Sequence, residues 1–331
     1  MPDDVLIAQT VRGGFIDCYH YGSVVVVDAG GKVLFSAGDI HKRVFERSAT
    51  KPIKAVAVVD SGAVDKLPWG DAEIALMGSS HSGTMMHTER VLKMLGDLGL
   101  DESALQCGVQ IPLGEEAVKE LVSTDGSVLR QLHNDCSGEH TGGLALCLHR
   151  GFPLEGYHQI GHPVRKEIRG VVEEFLDYST TDHAIDGCSL PTYYTPLVKL
   201  ATGMANFTGG KMYAESAGRV IQAMVNQPQF VAGEQGRLTT QLIRSSGGKI
   251  IGKGGAEGLY VAGWPGRGIG LALKVADGNL RSAGPVMADI IEGLDLMGEE
   301  DMKAIREQTS VNLYNNRGTL VGEVQSLIDQ G

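Results

Sequence analysis

Aromatic side chains are scarce in this sequence, at 5% of 331 residues with only two Trp. So few stacking faces argue against a platform for single-stranded nucleic acid. Basic residues are outnumbered as well. Twenty-nine Lys and Arg face forty Asp and Glu, a net charge of −11 that disfavours a nucleic-acid scaffold and favours a small-molecule substrate. The five cysteines (Cys18, Cys107, Cys136, Cys147, Cys188) are odd in number and widely spaced. That pattern makes a disulfide framework a poor reading and a reducing, cytoplasmic setting the expected one. No apolar run approaches the roughly eighteen residues that a membrane span requires. The start, Met1-Pro2-Asp3-Asp4, has no basic region ahead of an apolar stretch, so no secretory signal is expected. G-x-x-x-x-G-K-[ST], H-E-x-x-H and C-x-x-C are all missing, and the segment 252–258 carries Glu257 where G-x-G-x-x-G needs its last Gly. No nucleotide cofactor is expected.

What is present is ordinary globular material: 42% hydrophobic, 21% charged, with 46 Gly marking many tight turns. The ends read as strands. Val5 to Val11, Ser23 to Asp28 and Val33 to Phe35 are strand-like, the last two joined by the turn Asp28-Ala29-Gly30-Gly31-Lys32. Lys249 to Gly252, Leu259 to Ala262 and Gly268 to Val275 follow near the other end. The middle reads as amphipathic helix at His87–Leu98, Val164–Leu176, Pro196–Phe207 and Tyr213–Val225, with another at Pro285–Leu296. The expectation is an α+β fold in which N- and C-terminal strands share one sheet. One catalytic unit spanning 1–331 is expected, with a sheet lobe from about 1–85 and 245–331 and a mainly helical lobe over about 86–244.

Four segments could carry chemistry. Arg47-Ser48-Ala49-Thr50-Lys51-Pro52 precedes an apolar run, and Pro belongs in a helix's first turn. Ser48 and Lys51 then share a face at the helix start. A serine hydroxyl becomes a nucleophile when a base takes its proton, and a lysine kept neutral can be that base. Read alone, S-x-x-K is also a capping serine beside a solvated lysine. Met77 to Gly83 packs hydroxyls among small residues but is no nucleophile elbow, since Ser82 stands where G-x-S-x-G needs Gly. His133 to His140 brings Cys136, Glu139 and His140 together, all zinc-ligand types at a spacing that matches no standard closed site. Asp186-Gly187-Cys188 sets a carboxylate two residues before a thiol in a turn-rich loop.

In this order the segments resemble the asparaginase II family, the rhizobial-type asparaginases. The resemblance rests on Val11-Arg12-Gly13-Gly14, Arg47-Ser48-x-x-Lys51-Pro52, Ser79-Ser80-His81-Ser82-Gly83, Cys136-Ser137-Gly138-x-His140 and Asp186-Gly187-Cys188. It continues through Lys253-x-Gly255-Ala256-Glu257-Gly258 and Gly270 to Gly278. It implies a serine β-lactamase- or glutaminase-like fold, a homodimer, and two Ser-Lys pairs, Ser48 with Lys51 and Ser80 with Lys274. It also implies zinc near the substrate on Cys136 and Cys188, Asp186 at the substrate's α-ammonium, and Arg47 and His140 close to the pocket. The resemblance has departures: this chain carries Glu139 where the family usually has Lys, Ser189 where it usually has Gly, and Phe15-Ile16-Asp17-Cys18 where the family more often shows a Glu-Ser pair near Asp17 and Cys18. Glu139 is a conventional oxygen ligand, so the metal set becomes Cys136, Glu139 and Cys188 with His140 in reserve.

The activity so implied is hydrolysis of L-asparagine to L-aspartate and ammonia through a serine ester, with neutral Lys51 as base and a positive Lys274 holding it neutral. A serine-dependent glutaminase or other Ser-Lys amidase is the nearest alternative. A non-catalytic amino-acid-binding protein on the same scaffold is the alternative from another class.

Overall fold

The structure, a computed structural model, describes residues 3–124, 126 and 128–328; Met1 and Pro2 of the acidic start lie outside these. Its strands are β1 (Val5–Arg12), β2 (Phe15–Asp28), β3 (Val33–Ala37), β4 (Arg43–Phe45), β5 (His183–Ile185), β6 (Pro191–Pro196), β7 (Ile251–Gly255), β8 (Leu259–Trp264), β9 (Ile269–Val275), β10 (Val311–Tyr314) and β11 (Leu320–Ser326). Its helices are α1 (Lys51–Asp60), α2 (Asp71–Met77), α3 (Met85–Asp97), α4 (Glu115–Ser123), α5 (Ser137–Arg150), α6 (Pro163–Leu176), α7 (Leu197–Thr208), α8 (Ala214–Asn226), α9 (Pro228–Val231), α10 (Leu238–Ser245), α11 (Ala283–Gly293) and α12 (Glu299–Thr309). Two compact units form. The first takes the described residues within Met1–Ala49, Thr195–Gly209 and Gln241–Gly331; the second takes those within Thr50–Tyr194 and Gly210–Thr240. No helix among the described residues is long and apolar enough to cross a membrane.

The first unit is one antiparallel sheet in the order β10-β11-β1-β2-β9-β8-β7, with β3 also paired to β2. Both chain ends contribute to it, and helices occupy the middle of the sequence, so the α+β expectation holds. The centre is the run Val24 to Val27, paired through Val24↔Leu273 and Val26↔Leu271 and buried throughout. Asp28 makes the turn to β3 by accepting from the Gly30 and Lys32 amides at 2.8 and 3.0 Å. α7 lies on one face of this sheet. Gly263 and Gly270 are register partners there, and a Cβ on Gly270 would run into the Ala201 carbonyl of α7. The β10–β11 hairpin is not readable from the sequence because its strands are mostly half-exposed and carry no apolar stripe.

The second unit is helical, with α1 packed by α2, α5, α6 and α8. Pro52 sits in the first turn of α1 as expected, and every residue from Lys51 to Val59 is buried. A helix buried all round needs an apolar surface. Lys51 and Lys54 break that rule and must find partners. α5 crosses α2 closely, because Gly138 lets the Leu76 carbonyl approach where a side chain would collide.

Gly138→Ala is therefore expected to destabilise the protein by about 2 kcal/mol through overpacking. Gly170→Ala, in the interior of α6 with open space around its Cα, is expected to stabilise by about 0.5–1 kcal/mol. Urea unfolding of the two variants checks both signs, and equal effects would refute the close-approach account.

Candidate active site

α1 places the Lys51 ammonium in the interior of the second unit, 2% exposed. Its Nζ donates to the Ser79 carbonyl at 2.8 Å, to Ser80 Oγ at 3.2 Å and to Cys136 Sγ at 3.0 Å. Glu139 Oε2 lies 3.6 Å away and Asp135 Oδ2 4.0 Å away. One turn along α1, Lys54 Nζ is 3.5 Å from the other Glu139 oxygen. The hydroxyl-rich segment that presents Ser79 and Ser80 is fixed from both sides. The Ser80 amide donates to the Val231 carbonyl at 3.0 Å, and the His81 amide donates to the Asp135 carbonyl at 3.2 Å.

His81 locks this segment to the start of α5. Its Nδ1 accepts from the Gly83 amide at 3.1 Å, which leaves the proton on Nε2 to donate to Ser137 Oγ at 2.9 Å. Burial, then His87 and Lys51, hold its pKa well below the usual value, so the ring stays neutral. It stacks on His87 at 5.0 Å. Two motifs that are far apart in sequence are thus joined by one imidazole.

The charges decide the protonation states. Cys188 is pushed down to about 5 by the hydrogen bond from the Cys136 thiol, against burial and with help from His140. Cys136 is correspondingly raised, since it holds the proton that it donates to Cys188. For Glu139, burial alone would raise the pKa, but Lys54, Lys51 and Arg165 outweigh it and bring it to about 2. Burial likewise pushes Lys51 down, and Cys136, Asp135, Glu139 and Cys188 more than reverse it. The magnitudes agree with that order. Two anions within about 4 Å contribute about 4 kcal/mol each at an effective dielectric near 20, against several kcal/mol for desolvating one ammonium. Lys51 is therefore an ammonium at rest, with a pKa well above its ordinary value. This corrects the expectation of a neutral lysine, which considered burial and a second cation but not four acidic neighbours.

The expected metal set does not fit this arrangement. Glu139 is directed at two lysines, and Cys136 Sγ accepts from Lys51. Among the described residues no group of three His, Cys, Asp or Glu side chains is disposed to hold a metal ion.

The other expected site residues divide between the units. His140 is buried on α5 in the second unit, its Nδ1 2.6 Å from the Tyr157 hydroxyl. Asp186 opens the turn that carries Cys188, and its Oδ1 accepts from the Gly187 amide at 2.6 Å. In the first unit, Arg47 and Ser48 form a 3-10 turn (Arg47–Thr50) whose chain continues directly into α1. Arg47 takes a left-handed φ of 43°, uncommon for a non-glycine residue. Lys274 is half-buried on β9. Its ammonium is held by the Glu257 carbonyl and, at 2.8 Å, by the Val275 carbonyl, and burial followed by Lys42 lowers its pKa.

Two participants escape the sequence reading. Lys54 and Asp135 carry the charge balance, and only their spacing from Lys51 and Cys136 hints at it. Lys253, in the first unit, is a further buried lysine. It lies within Lys253-x-Gly255-Ala256-Glu257-Gly258, is 2% exposed on β7, and has its Nζ 2.7 Å from the Gly254 carbonyl. The register Lys253↔Val261↔Ala272 puts it on the same sheet face as Lys274, two residues further along β9.

The L-asparaginase II family model matches residues 8–326, and the chain belongs to that family. The class is amidohydrolase. No curated protein matches the chain. Among solved structures it is similar to a putative β-lactamase from Bacteroides dorei, at 13% identity and TM-score 0.42 over 77% of this chain and 84% of that one. It is also similar to a β-lactamase from Mycobacterium bovis, at 14% identity and TM-score 0.43 over 87% and 95%. A protein named Mglu, in its native form with 4.3 M NaCl, gives 17% identity and TM-score 0.38 over 84% of this chain and 62% of that one.

Two outcomes follow from the site's geometry. Ser189 has φ = 72°, the region that favours glycine, so Ser189→Gly should raise stability by about 1 kcal/mol in urea unfolding. A loss would refute the strain. Glu139 stabilises the fold while it is ionised, because its folded pKa of about 2 lies below the ordinary 4.5. That stability is present above about pH 4.5 and is lost as pH falls toward 2, on the order of 3 kcal/mol. The acid limb of a stability–pH curve should flatten by this amount in Glu139→Gln, and an unchanged limb would contradict the ion-pair account.

Proposed function

We propose that this protein is an L-asparaginase that hydrolyses the side-chain amide of L-asparagine through a serine ester, with Lys51 as the proton carrier. The observation that carries the reading is the buried Lys51, 3.2 Å from Ser80 Oγ and three residues after Ser48 in the chain. Ser48 is the proposed nucleophile. Its hydroxyl proton passes to Lys51, the tetrahedral oxyanion is met by backbone amides, and Lys51 returns the proton to the departing ammonia. Water then cleaves the β-aspartyl ester along the same proton route.

A resting ammonium cannot accept a proton, so substrate must first weaken the field that keeps Lys51 charged. L-Asparagine brings a cation of its own. Asp186 and the Cys188 thiolate, two residues apart on one turn, suit its α-ammonium, and Arg47 suits its α-carboxylate. A positive charge brought beside the anions offsets their hold on Lys51 and lowers its pKa in the complex. No step is assigned to a metal, because Cys136 and Glu139 are already committed to lysines.

The Lys51–Ser80 hydrogen bond supports a second assignment, with Ser80 as the attacking hydroxyl and Ser48 as the relay. Ammonia release from L-asparagine and L-glutamine by the purified protein, by Ser48→Ala and by Ser80→Ala, separates these readings. Asparagine turnover lost by at least ~10³-fold in Ser48→Ala supports the first assignment. Retention of more than about a tenth of turnover, under ~1.4 kcal/mol of barrier, removes Ser48 as nucleophile. No release from either amide overturns the amidase reading in favour of a binding protein.

The pH profile carries a sign. For the free enzyme kcat/KM should climb with pH from 6 to beyond 9, because Lys51 is held protonated, while kcat should level off earlier because bound substrate has lowered that pKa. A flat kcat/KM over this range would contradict a proton-carrying Lys51.

A further inference from the structure

A second reactive group lies in the first unit, apart from the lysine cluster. Cys18 and His20 are two residues apart on β2, so both point from the same sheet face. His20 is 1% exposed, and its Nδ1 is 2.7 Å from Asp277 Oδ2. Its Nε2 is 3.6 Å from Cys18 Sγ, 3.3 Å from Thr10 Oγ1, and 3.1 Å from Arg281 Nε. A guanidinium only donates, so Nε2 accepts from Arg281 and the ring proton sits on Nδ1, donated to Asp277. The other arm of Arg281 donates from Nη2 to Cys18 Sγ at 2.9 Å. A short turn holds the two charged partners in place. Asp277 Oδ1 accepts from the Asn279 amide at 2.8 Å, and Asn279 Oδ1 accepts from the Arg281 amide at 3.0 Å.

This is a thiol facing the unprotonated nitrogen of an imidazole, which a carboxylate orients from behind. A guanidinium touches the sulfur itself. The arrangement is that of an activated cysteine: a base within reach, a group that steadies the imidazolium, and a cation that steadies a thiolate. Cys18 is half-buried, open enough for a small reagent, whereas Cys107, Cys136, Cys147 and Cys188 are all buried. Burial raises Cys107 to about 12 and Cys147 to about 11, which leaves those two inert at neutral pH. The proposed amide hydrolysis does not use Cys18.

We infer that Cys18 is an oxidation site for small hydroperoxides, activated by His20, Asp277 and Arg281. His20 Nε2 takes the thiol proton, displacing the Arg281 Nε donor, while Nη2 stays on the sulfur. The thiolate attacks one peroxide oxygen. An S–O bond forms as the O–O bond breaks, sulfur loses two electrons to the peroxide, and the departing oxygen takes the proton from the His20 imidazolium. Hydrogen peroxide thus yields a sulfenic acid and one water. His20 acts on the thiol directly, and Asp277 and Arg281 are positioning residues.

The test uses the full chain with hydrogen peroxide, dimedone as trap, and mass mapping of all five cysteines at several pH values. In the folded protein at pH 7, Cys18 should be trapped first and about tenfold faster than Cys18 in the urea-unfolded chain, since a free thiol is only a few per cent thiolate there. Asp277→Asn and Arg281→Gln should each slow trapping about tenfold and move its pH profile to higher pH, with circular dichroism unchanged. Asp277 is partly exposed, so Asp277→Asn decides the matter if Arg281→Gln does not fold. Trapping at Cys136 or Cys188 ahead of Cys18 overturns the inference. So does a Cys18 rate equal to that of the unfolded chain, or one unaffected by Asp277→Asn.

Discussion

The second unit depends on one electrostatic constraint: a lysine ammonium taken out of water has to be met by anions. α1 is buried on every side and carries Lys51 and Lys54 into the interior. Glu139 answers both, Asp135 and the Cys136–Cys188 pair answer the first, and the Ser79 carbonyl and Ser80 hydroxyl complete its hydrogen bonds. These partners come from the end of α2, the start of α5 and the turn before β6. The cluster therefore ties together segments that sequence distance keeps apart. Removing one member would leave a buried charge without its complement, which is far more destabilising than removing a whole pair.

The same constraint bears on chemistry. A serine hydrolase built on lysine needs that lysine neutral at the moment of attack, yet the fold holds it charged. The proposed reaction resolves the conflict by letting the cationic substrate compete for the anions, so that binding sets the protonation state. Glu139 is central to this. Its carboxylate is an ion-pair partner for two lysines, Lys51 and Lys54. Ser189, beside Cys188, carries a side chain on a backbone conformation suited to glycine.

Much of the architecture could be read from periodicity. Most strands at the two ends, the turn at Asp28 and the helices α3, α6, α7, α8 and α11 fall within a few residues of expectation, because each carries a strong apolar pattern; β2 starts eight residues before the expected Ser23, since its first half is mostly exposed. β10 and β11 are not legible in the sequence, because mostly half-exposed strands carry no such pattern. At the site, the residue types were legible and their charge states were not. Ser80, Cys136, Glu139 and Cys188 stand out as motifs, but Lys51 beside four acidic groups is a property of three-dimensional packing. Lys253 illustrates the same limit. Its burial on β7 singles it out, whereas in sequence it is one residue of a Gly-rich motif.

The protonation state of Lys51 is the claim on which the site's account rests, and it is open to direct observation. Titration of the lysine ζ-nitrogens by NMR, in protein labelled with ¹⁵N-lysine and with the Lys51 signal assigned by Lys51→Arg, follows that one proton in the free enzyme. The account predicts that Lys51 remains an ammonium through pH 10.5, after exposed lysines have begun to titrate. A Lys51 signal that deprotonates below about pH 8, as a catalytic lysine depressed by burial would, would contradict it.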